Sequence, residues 1–260
     1  MTSLVGVLFG LAFGGAGLLV FYKASTEFRT VYHILTNDPV PVRDLPTRSG
    51  PVEIEGTARP AEDHDPVTSM FTRTDCLVYE YEVEEYRSHG KHSSWKTLDQ
   101  GKRGVPFQLA DDTGAVRVEP AGADLHLANH RIRVDGGDEP PEHIAEYIAA
   151  TDDVDSQDKS IDVVVTELNY GNDQRFTERR LDLDESVYVY GSVGRGDGGG
   201  GWGSDLVDAV VTDGDALPAF VVSDTHERGT AWRIGKRAVV LLVFGLVFAG
   251  VGGFLILQMA

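Results

Sequence analysis

Apolar and polar residues alternate in two neighbouring stretches near the middle of the chain, 107–110 and 116–119. In each stretch every second residue is a large apolar one. The residues between the stretches include Asp111-Asp112-Thr113-Gly114, a polar turn sequence whose glycine can adopt positive φ. A period of two on both sides of a short polar turn predicts a β-hairpin, and we expect the other strands to join it.

Shorter alternating stretches elsewhere predict further strands. In 77–86, the aromatic and aliphatic side chains share one face, and three glutamates share the other, which predicts one core face and one solvated acidic face. We expect 161–168 and 175–181 to pair antiparallel. The remaining predicted strands are 52–54, 131–134, 186–193 and 219–223. By contrast, 88–94 is polar and predicts a loop.

One helix is predicted in this part of the chain, over 139–150. Prolines and acidic residues occupy its first turn, and Ile144, Tyr147 and Ile148 recur at helical spacing. About eight short strands and one helix favour a barrel, because closure removes exposed strand edges. The expected fold is therefore mainly β, an OB-like or closed small β-barrel with one short helix, inserted between two transmembrane helices.

Two uncharged runs, 3–22 and 238–259, flank the β-rich part. At about 1.5 Å per residue, each run is long enough to cross a hydrocarbon core of about 30 Å. The first run lacks the basic start of a secretory signal, so we expect it to be a retained anchor. The predicted organisation is a first span over 1–23, a linker over 24–50, a β-rich domain over 51–232 and a second span over 233–260.

Basic residues cluster where the two runs meet the central domain. Lys23 and Arg29 follow the first run, and Arg233, Lys236 and Arg237 precede the second, whereas neither tail contains lysine or arginine. The positive-inside rule therefore predicts a multi-pass protein of the cell membrane whose central domain is cytoplasmic.

Small residues recur every four positions within both runs. Such spacing places them on one helix face, where another helix can approach closely. The partner helix is either the other run of the same molecule, packed antiparallel, or a further copy in a homo-oligomer. The two sets are Gly6, Gly10 and Gly14, and Gly245, Ala249 and Gly253.

The formal net charge of the 260 residues is -18, from 41 acidic and 23 basic residues. Such a surface repels nucleic acid, so we expect no nucleic-acid partner. Abundant aspartate with little lysine is typical of proteins from salt-loving archaea, in which acidity is an adaptation to the solvent. No sequence motif calls for a cofactor.

The turn of the central hairpin also matches a catalytic sequence. Asp112-Thr113-Gly114-Ala115 is the Asp-Thr-Gly-Ala of retroviral-type aspartic proteases, in which two such loops share a proton. Asp111 stands where those proteases have an apolar residue. Asp112 is thus a catalytic candidate whose alternative is an exposed hairpin turn.

Three histidines are candidate metal ligands: His64, which lies between two aspartates, and His89 and His92. They lack the helical frame of a His-x-x-x-His site, and solvated loop histidines are the alternative. The single cysteine, Cys76, excludes a zinc site made of several thiolates and is expected to be a small buried residue.

Several stretches together resemble the GIDE-type domain, also called the beside-a-membrane (BAM) domain, of mitochondrial outer-membrane ubiquitin ligases and their prokaryotic relatives. The two flanking runs complete the resemblance, which covers nearly the whole chain. The stretches are Glu55-Gly56-Thr57-Ala58, Asp75 to Tyr79, Trp95, Pro106-Phe107, Asp111 to Gly114, Val116 to Ala123, Thr177-Glu178 with Leu181, and Val187 to Gly191.

The resemblance implies a domain beside a membrane and, in the ligases, a position facing away from the cytosol. It also implies a zinc RING built on eight cysteine and histidine ligands, for which one cysteine is too few. We therefore expect a non-catalytic domain, embedded in lipid through two spans, that binds an unknown protein partner. The alternatives are a ubiquitin-ligase component that acts with a separate RING-like partner, and a membrane-tethered aspartic protease.

Overall fold

The structure is a computed structural model that describes residues 4–36, 38–89, 92–150, 160–163, 166–169, 171–196, 205–215, 217–224 and 227–259. The helices are α1 (Leu4–Thr36), α2 (Glu142–Ala150) and α3 (Glu227–Met259), with a 3-10 helix over Val42–Thr47. The first strands are β1 (Gly50–Pro60), β2 (Val67–Thr68), β3 (Asp75–His89), β4 (His92–Gly104), β5 (Phe107–Ala110), β6 (Ala115–Val118) and β7 (Asp124–His126). The others are β8 (Asn129–Val134), β9 (Ser160–Val163), β10 (Thr166–Asn169), β11 (Gln174–Asp182), β12 (Ser186–Arg195), β13 (Leu206–Thr212) and β14 (Val221–Ser223).

Five strands close into a barrel in the order β1-β5-β6-β13-β12, and β1 pairs with β12 to complete the ring. β1 reaches both neighbours because it changes partner near Gly56, where a Cβ atom would lie 2.4 Å from the carbonyl oxygen of Ala110. Only glycine permits this approach. The prediction of a mainly β fold with a small closed barrel is confirmed, and so is the central hairpin, formed by β5 and β6.

The barrel interior is apolar. The inward residues of the alternating strands, such as Ile54, Leu109, Val116, Val189 and Val211, are fully buried in one cluster. Burial of such residues contributes about 25 cal/mol for each Å² of apolar surface removed from water. Strands β14 and β7 extend the sheet beyond the ring.

A second, antiparallel sheet has the order β4-β3-β11-β8, with the short β2 also paired with β3. Helix α2 packs on one face, where Val83, Ile144 and Phe176 are buried together with Phe71. The helix predicted over 139–150 is confirmed, and it begins after Pro141, which lacks the N–H that a first turn cannot pair.

Two predictions about strands are wrong. Residues 161–163 and 166–169 pair with each other as β9 and β10, whereas β11 pairs with β3 and β8. The expected polar loop over 88–94 is instead the end of a long β3–β4 hairpin, with His89 opposite His92. Strands β4 and β7 were not predicted, because polar edge strands and short strands carry a weak alternation. Strand β13 was also missed, although it lies inside the ring and is mostly apolar.

Helices α1 and α3 pack antiparallel, and we call this pair the stem. Backbones touch in it: a Cβ on Gly17 would lie 2.6 Å from the amide nitrogen of Ala249, and one on Gly252 would lie 2.6 Å from that of Gly14. The fully or nearly fully buried small residues recur every seven positions, the spacing of a left-handed helix pair. They are Gly10, Gly17 and Ala24 on α1, and Ala238, Gly245 and Gly252 on α3.

The predicted spacing of four therefore describes the stem only in part. Gly10, Gly14, Gly245 and Ala249 lie in the contact, Gly14 through its backbone, but a Cβ on Gly253 would meet nothing within 4 Å. The surroundings of Gly6 lie outside what the structure describes.

Much of the stem surface is apolar and exposed. In the described part of the chain, one helix is long and apolar enough to cross a membrane, over Ile234–Phe254. α1 also exposes large apolar residues, and it continues as helix through the first part of the predicted linker, as far as Thr36. The most exposed examples are Leu18, Leu19 and Tyr22 on α1 and Trp232, Val247 and Phe254 on α3.

A charged outer face as the candidate functional site

The second sheet has one face that no described element covers, and we call it the outer face. Because strand side chains alternate, the residues of β3 next to Val83 point away from α2. Across the strands, these residues align in rows. The outer face consists of Thr97, Gln100 and Lys102 on β4, Glu80, Glu82 and Glu84 on β3, Arg175, Thr177 and Arg179 on β11, and Asn129, Arg131 and Arg133 on β8.

Arginines stand directly opposite the glutamates. Arg175 forms a two-point ion pair with Glu84, whose side chain is nearly buried, and Arg179 Nη1 lies 2.5 Å from Glu80 Oε1. The hydrogen bonds with Glu84 raise the pKa of Arg175. The predicted solvated acidic face is therefore wrong: the face has mixed charge, because β11 supplies basic partners that β3 alone does not reveal.

Arg131 occupies an exposed position on the edge strand β8. Its Nε donates to Thr177 Oγ1 at 3.2 Å. One side of the guanidinium is thus held in place while the rest faces solvent, an arrangement suited to a carboxylate from another molecule.

Two aromatic residues occupy the far end of the outer face. Tyr86 and Trp95 lie opposite each other on β3 and β4, with ring centroids 5.3 Å apart. The guanidinium carbon of Arg175 lies 4.2 Å from the Trp95 ring centroid. All three side chains are partly exposed. Tryptophan, tyrosine and arginine are the residues that most often dominate binding energy at protein interfaces.

The near end of the outer face opens into a polar cavity of about 420 Å³. Glu80, Arg179 and Asn129 form one wall, and Asp124 and His126 on β7 form another. The outer face therefore runs from an aromatic pair, across charged rows, to a cavity beside the barrel.

The opposite face is held rigidly. Phe71 makes edge-to-face contacts with Tyr147 and Phe176, at centroid distances of 5.2 and 5.3 Å. The hydroxyls of Tyr81 and Tyr147 both donate to the same oxygen of Asp99. Burial of its ring raises the pKa of Tyr81, so this hydroxyl remains a donor. The outer face is thus presented by a fixed sheet.

A family model described as E3 Ubiquitin ligase, and named GIDE, matches residues 78–256. The match covers more than half of the chain, from β3 to near the end of α3. The chain belongs to the GIDE family. No curated protein and no solved structure matches it. The resemblance in the sequence is confirmed, and the outer face lies within the matched part of this GIDE chain.

Two residues of the GIDE resemblance, Gly56 and Glu178, have structural roles here. Gly56 permits the barrel to close. Glu178 is fully buried, and its carboxylate accepts hydrogen bonds from Phe71 N at 2.8 Å and Thr72 Oγ1 at 2.5 Å, which fixes the 69–74 loop. These residues hold the fold.

Asp111 organises the turn of this GIDE hairpin. Its Oδ1 accepts from Thr113 N at 2.7 Å and from Gly114 N at 3.0 Å, and its Oδ2 accepts from Val42 N at 2.9 Å. Partial burial raises the pKa of Asp111, but these hydrogen bonds lower it by more than burial raises it. The net shift of the pKa is therefore downward. Asp112, the catalytic candidate, is exposed at the tip of the turn.

The three candidate metal ligands are not shown to meet. His64 Nδ1 lies 3.0 Å from Asp63 Oδ1. Arg117 Nη1 also contacts both oxygens of Asp63, at 2.8 and 3.0 Å, and together with His64 it lowers the pKa of that carboxyl. The side chains of His89 and His92 lie outside the described residues.

Zinc, which the ligases carry in their RING, does not fit the described part of this chain. Among the described residues, no group of three or more histidine, cysteine or acidic side chains could hold a metal ion. Cys76 is buried, and burial raises the pKa of its thiol to about 12, so it is not a thiolate at neutral pH. The expectation of a small buried cysteine is confirmed.

Sequence reasoning missed the outer face, although its signal was present. Arg131 and Arg133 are two positions apart and Arg175 and Arg179 are four apart, so each pair shares one face of its strand, as the glutamates of β3 do. The alternation identifies the residues that share a face of one strand, but not the strand that lies beside it.

Proposed function

We propose that this protein presents a non-catalytic, protein-binding GIDE domain beside a membrane, and that the outer face of the second sheet is its binding surface. The observation that carries the proposal is the uncovered outer face, which combines the Tyr86–Trp95 pair with Arg175 and exposed Arg131. These residue types occur together at protein interfaces more often than on other surfaces.

The stem would anchor the domain through two membrane spans. Support comes from the apolar exposed surface of both helices and from their small-residue contact, which is typical of membrane helix pairs. The homo-oligomer hypothesis places a further copy on the two small-residue faces. Because the contact between α1 and α3 occupies part of those faces, a further copy would have to contact another side of the stem.

The acidic sequence and the outer face together favour a protein over nucleic acid as the partner. Each arginine row of the outer face also contains a glutamate or an uncharged residue, so the face carries no continuous basic track for a phosphate backbone. Alternating charges favour a partner with a complementary alternating pattern, and they select against partners of one sign.

Site-specific photo-crosslinking tests the binding surface. A photo-reactive residue at Gln100, exposed on the outer face, should form adducts in native membranes. The same residue at Ala145, exposed on α2 behind the sheet, is the matched control and should not. Trp95→Ala and Arg131→Glu should each remove the Gln100 adducts. Equal adducts at both positions, or adducts that survive both substitutions, would exclude the outer face.

A second candidate function is that of a ubiquitin-ligase component, which the description of the matching family favours. The 260 residues hold one cysteine, so transfer would need a separate RING-like partner. We expect the purified chain alone to leave a charged ubiquitin-type conjugating enzyme intact. Transfer by the chain alone would overturn the non-catalytic proposal.

The proposed cytoplasmic position of the domain rests on the basic residues beside the stem. Ser93→Cys adds an exposed thiol on β4, whereas the native Cys76 thiol is buried and protonated. A membrane-impermeant maleimide should label the variant only after cells are opened, and the unaltered chain should not be labelled. Labelling in intact cells would place the domain on the outside, as the resemblance to the ligases implies.

A further inference from the structure

A cavity of about 370 Å³ lies where the stem meets the barrel. α1 contributes Lys23, Thr26 and Glu27 to its wall, and β7 contributes Asp124 and His126. The cavity therefore brings one ammonium group and two carboxylates together around a space that a small polar group can fill.

The floor of the cavity is apolar and well packed. Val221 and Ile234 line it and also belong to a buried cluster with Tyr188 and Tyr190. Beneath them, the Tyr188 hydroxyl donates to the buried Glu53 carboxylate at 2.9 Å. Because this floor is built from one helix of the stem and from β14, which extends the barrel sheet, the cavity is formed before any ligand enters.

The position of the cavity along the stem points to the membrane surface. Tyr22 lines the cavity and is the last residue of the uncharged run of α1, and Ile234 begins the candidate span of α3. Tyr32 and Trp232 are about two-thirds exposed on the stem nearby, at 67% and 68%. Exposed tyrosine and tryptophan mark the level of lipid headgroups.

The order of charges along α1 selects one kind of headgroup. Lys23 comes first after the uncharged run, and Glu27 follows four residues later, which is about 6 Å farther from the apolar run at 1.5 Å per residue. A zwitterionic phospholipid has the same geometry with opposite signs, since its phosphate lies nearer the acyl chains than its ammonium does. An anionic headgroup without an amine would leave Glu27 and Asp124 facing a negative charge.

We propose that this cavity binds the headgroup of an amine-bearing, zwitterionic phospholipid, with Lys23 on the phosphate and with Glu27 and Asp124 on the ammonium. The inference rests on the proposed placement of the stem in the membrane. It assigns a ligand to the junction between stem and barrel, in a cavity that shares Asp124 and His126 with the polar cavity at the near end of the outer face.

Retained lipid can be measured directly. The full chain is reconstituted into vesicles of equal parts phosphatidylethanolamine and phosphatidylglycerol, floated, extracted in mild detergent and examined by native mass spectrometry. We expect severalfold more phosphatidylethanolamine than phosphatidylglycerol on the protein. Glu27→Gln with Asp124→Asn should bring the ratio to that of the vesicles, and Lys23→Gln should reduce the total lipid retained.

The matched control is Glu62→Gln, which removes an exposed carboxylate outside the cavity and should leave the preference unchanged. An unaltered chain that retains both lipids equally, or a preference that survives the double substitution, would overturn the proposal while the flotation result still supports membrane anchoring. A chain that does not float with the vesicles would overturn the anchoring, and the lipid proposal with it.

Discussion

The barrel and the second sheet bury their apolar faces in different ways. The barrel closes on itself when β1 meets β12, so all inward side chains share one apolar core and the ring leaves no strand edge. The second sheet stays open. It buries one face under α2 and leaves the other exposed, with free edges at β4 and β8 in the described part of the chain.

An open sheet with one covered face leaves the whole of its other face exposed, whereas the interior of a filled barrel is closed to any partner. The free edges are protected by charge and irregularity: β4 carries Lys96 and Lys102, and its register with β3 shifts at Leu98. Such features discourage pairing with another strand while the side chains of the outer face remain accessible. Under the proposed function, the barrel supplies stability and the second sheet supplies the recognition surface.

The largest effects should come from emptying each core. Phe176→Ala in the second sheet should cost about 3–5 kcal/mol and Leu109→Ala in the barrel about 2–5 kcal/mol, because each leaves a cavity at a fully buried site. Urea unfolding of the full chain in detergent measures both. Cys76 belongs to the second sheet. At an equal loss of stability, Phe176→Ala should therefore accelerate labelling of the Cys76 thiol more than Leu109→Ala does. Equal acceleration would show that the two regions open as one unit.

A smaller effect should follow from Glu178→Gln, which removes the charge that fixes the 69–74 loop. Losing hydrogen bonds to a buried carboxylate should cost about 1–3 kcal/mol. Hydrogen exchange at the Phe71 amide should rise, while barrel amides such as that of Leu109 stay protected. Unchanged exchange at Phe71 would mean that the loop is held by packing alone.

Next in size is Asp111→Asn, for which Asp112→Asn is the matched control. The first should cost about 1 kcal/mol in lost hydrogen bonds, and the second should cost nothing measurable. Because the pKa of Asp111 is lowered in the fold, its contribution is present above the ordinary aspartate pKa and is lost as the pH falls through the lowered value. The stability difference between the Asp111 variant and the unaltered chain should therefore shrink in acid.

The same pair of variants tests the protease hypothesis. Proteolysis by the membrane-embedded chain that disappears in Asp112→Asn and survives in Asp111→Asn would assign catalysis to the turn. We expect no such activity. Aspartic proteases need two aspartates that share one proton, whereas Asp112 is exposed at the tip of a hairpin turn.

The smallest effect on stability should be that of Trp95→Ala. The side chain is partly exposed, and its contact with Arg175 is worth about 0.5–1 kcal/mol. Partner crosslinking through Gln100 should nevertheless be lost. A large drop in the unfolding midpoint would instead make Trp95 a core residue of the second sheet and weaken its assignment to recognition.

The predictable parts of this fold are those in which local residues decide the structure. The central hairpin follows from its alternation and its Asp111 turn, and α2 follows from its prolines and apolar spacing. The closed barrel follows from the number of short strands. Glu178, by contrast, lies in a recognised motif but gives no sign in the sequence that its carboxylate binds a loop more than 100 residues away.

The parts that were missed depend on partners distant in the chain. β4 is polar on both sides, so its alternation is too weak to detect, and the prediction of a pair between 161–168 and 175–181 assumed that neighbours in sequence pair in space. The outer face was missed for the same reason, since Arg175 and Glu84 meet only through sheet register. The stem contact uses a period of seven because two helices wrap around each other, which an isolated helix pattern does not show.

The closure of the barrel by β1 and β12 also decides when this protein can fold. Gly50 pairs with Val193, and α1 packs on α3, so the first strand and the first helix both await partners that are made much later in the chain. Pairings so distant in sequence form slowly, and a nascent chain meanwhile exposes an unpaired edge. The chain must therefore be made as far as the end of β13, at Thr212, before the ring can close.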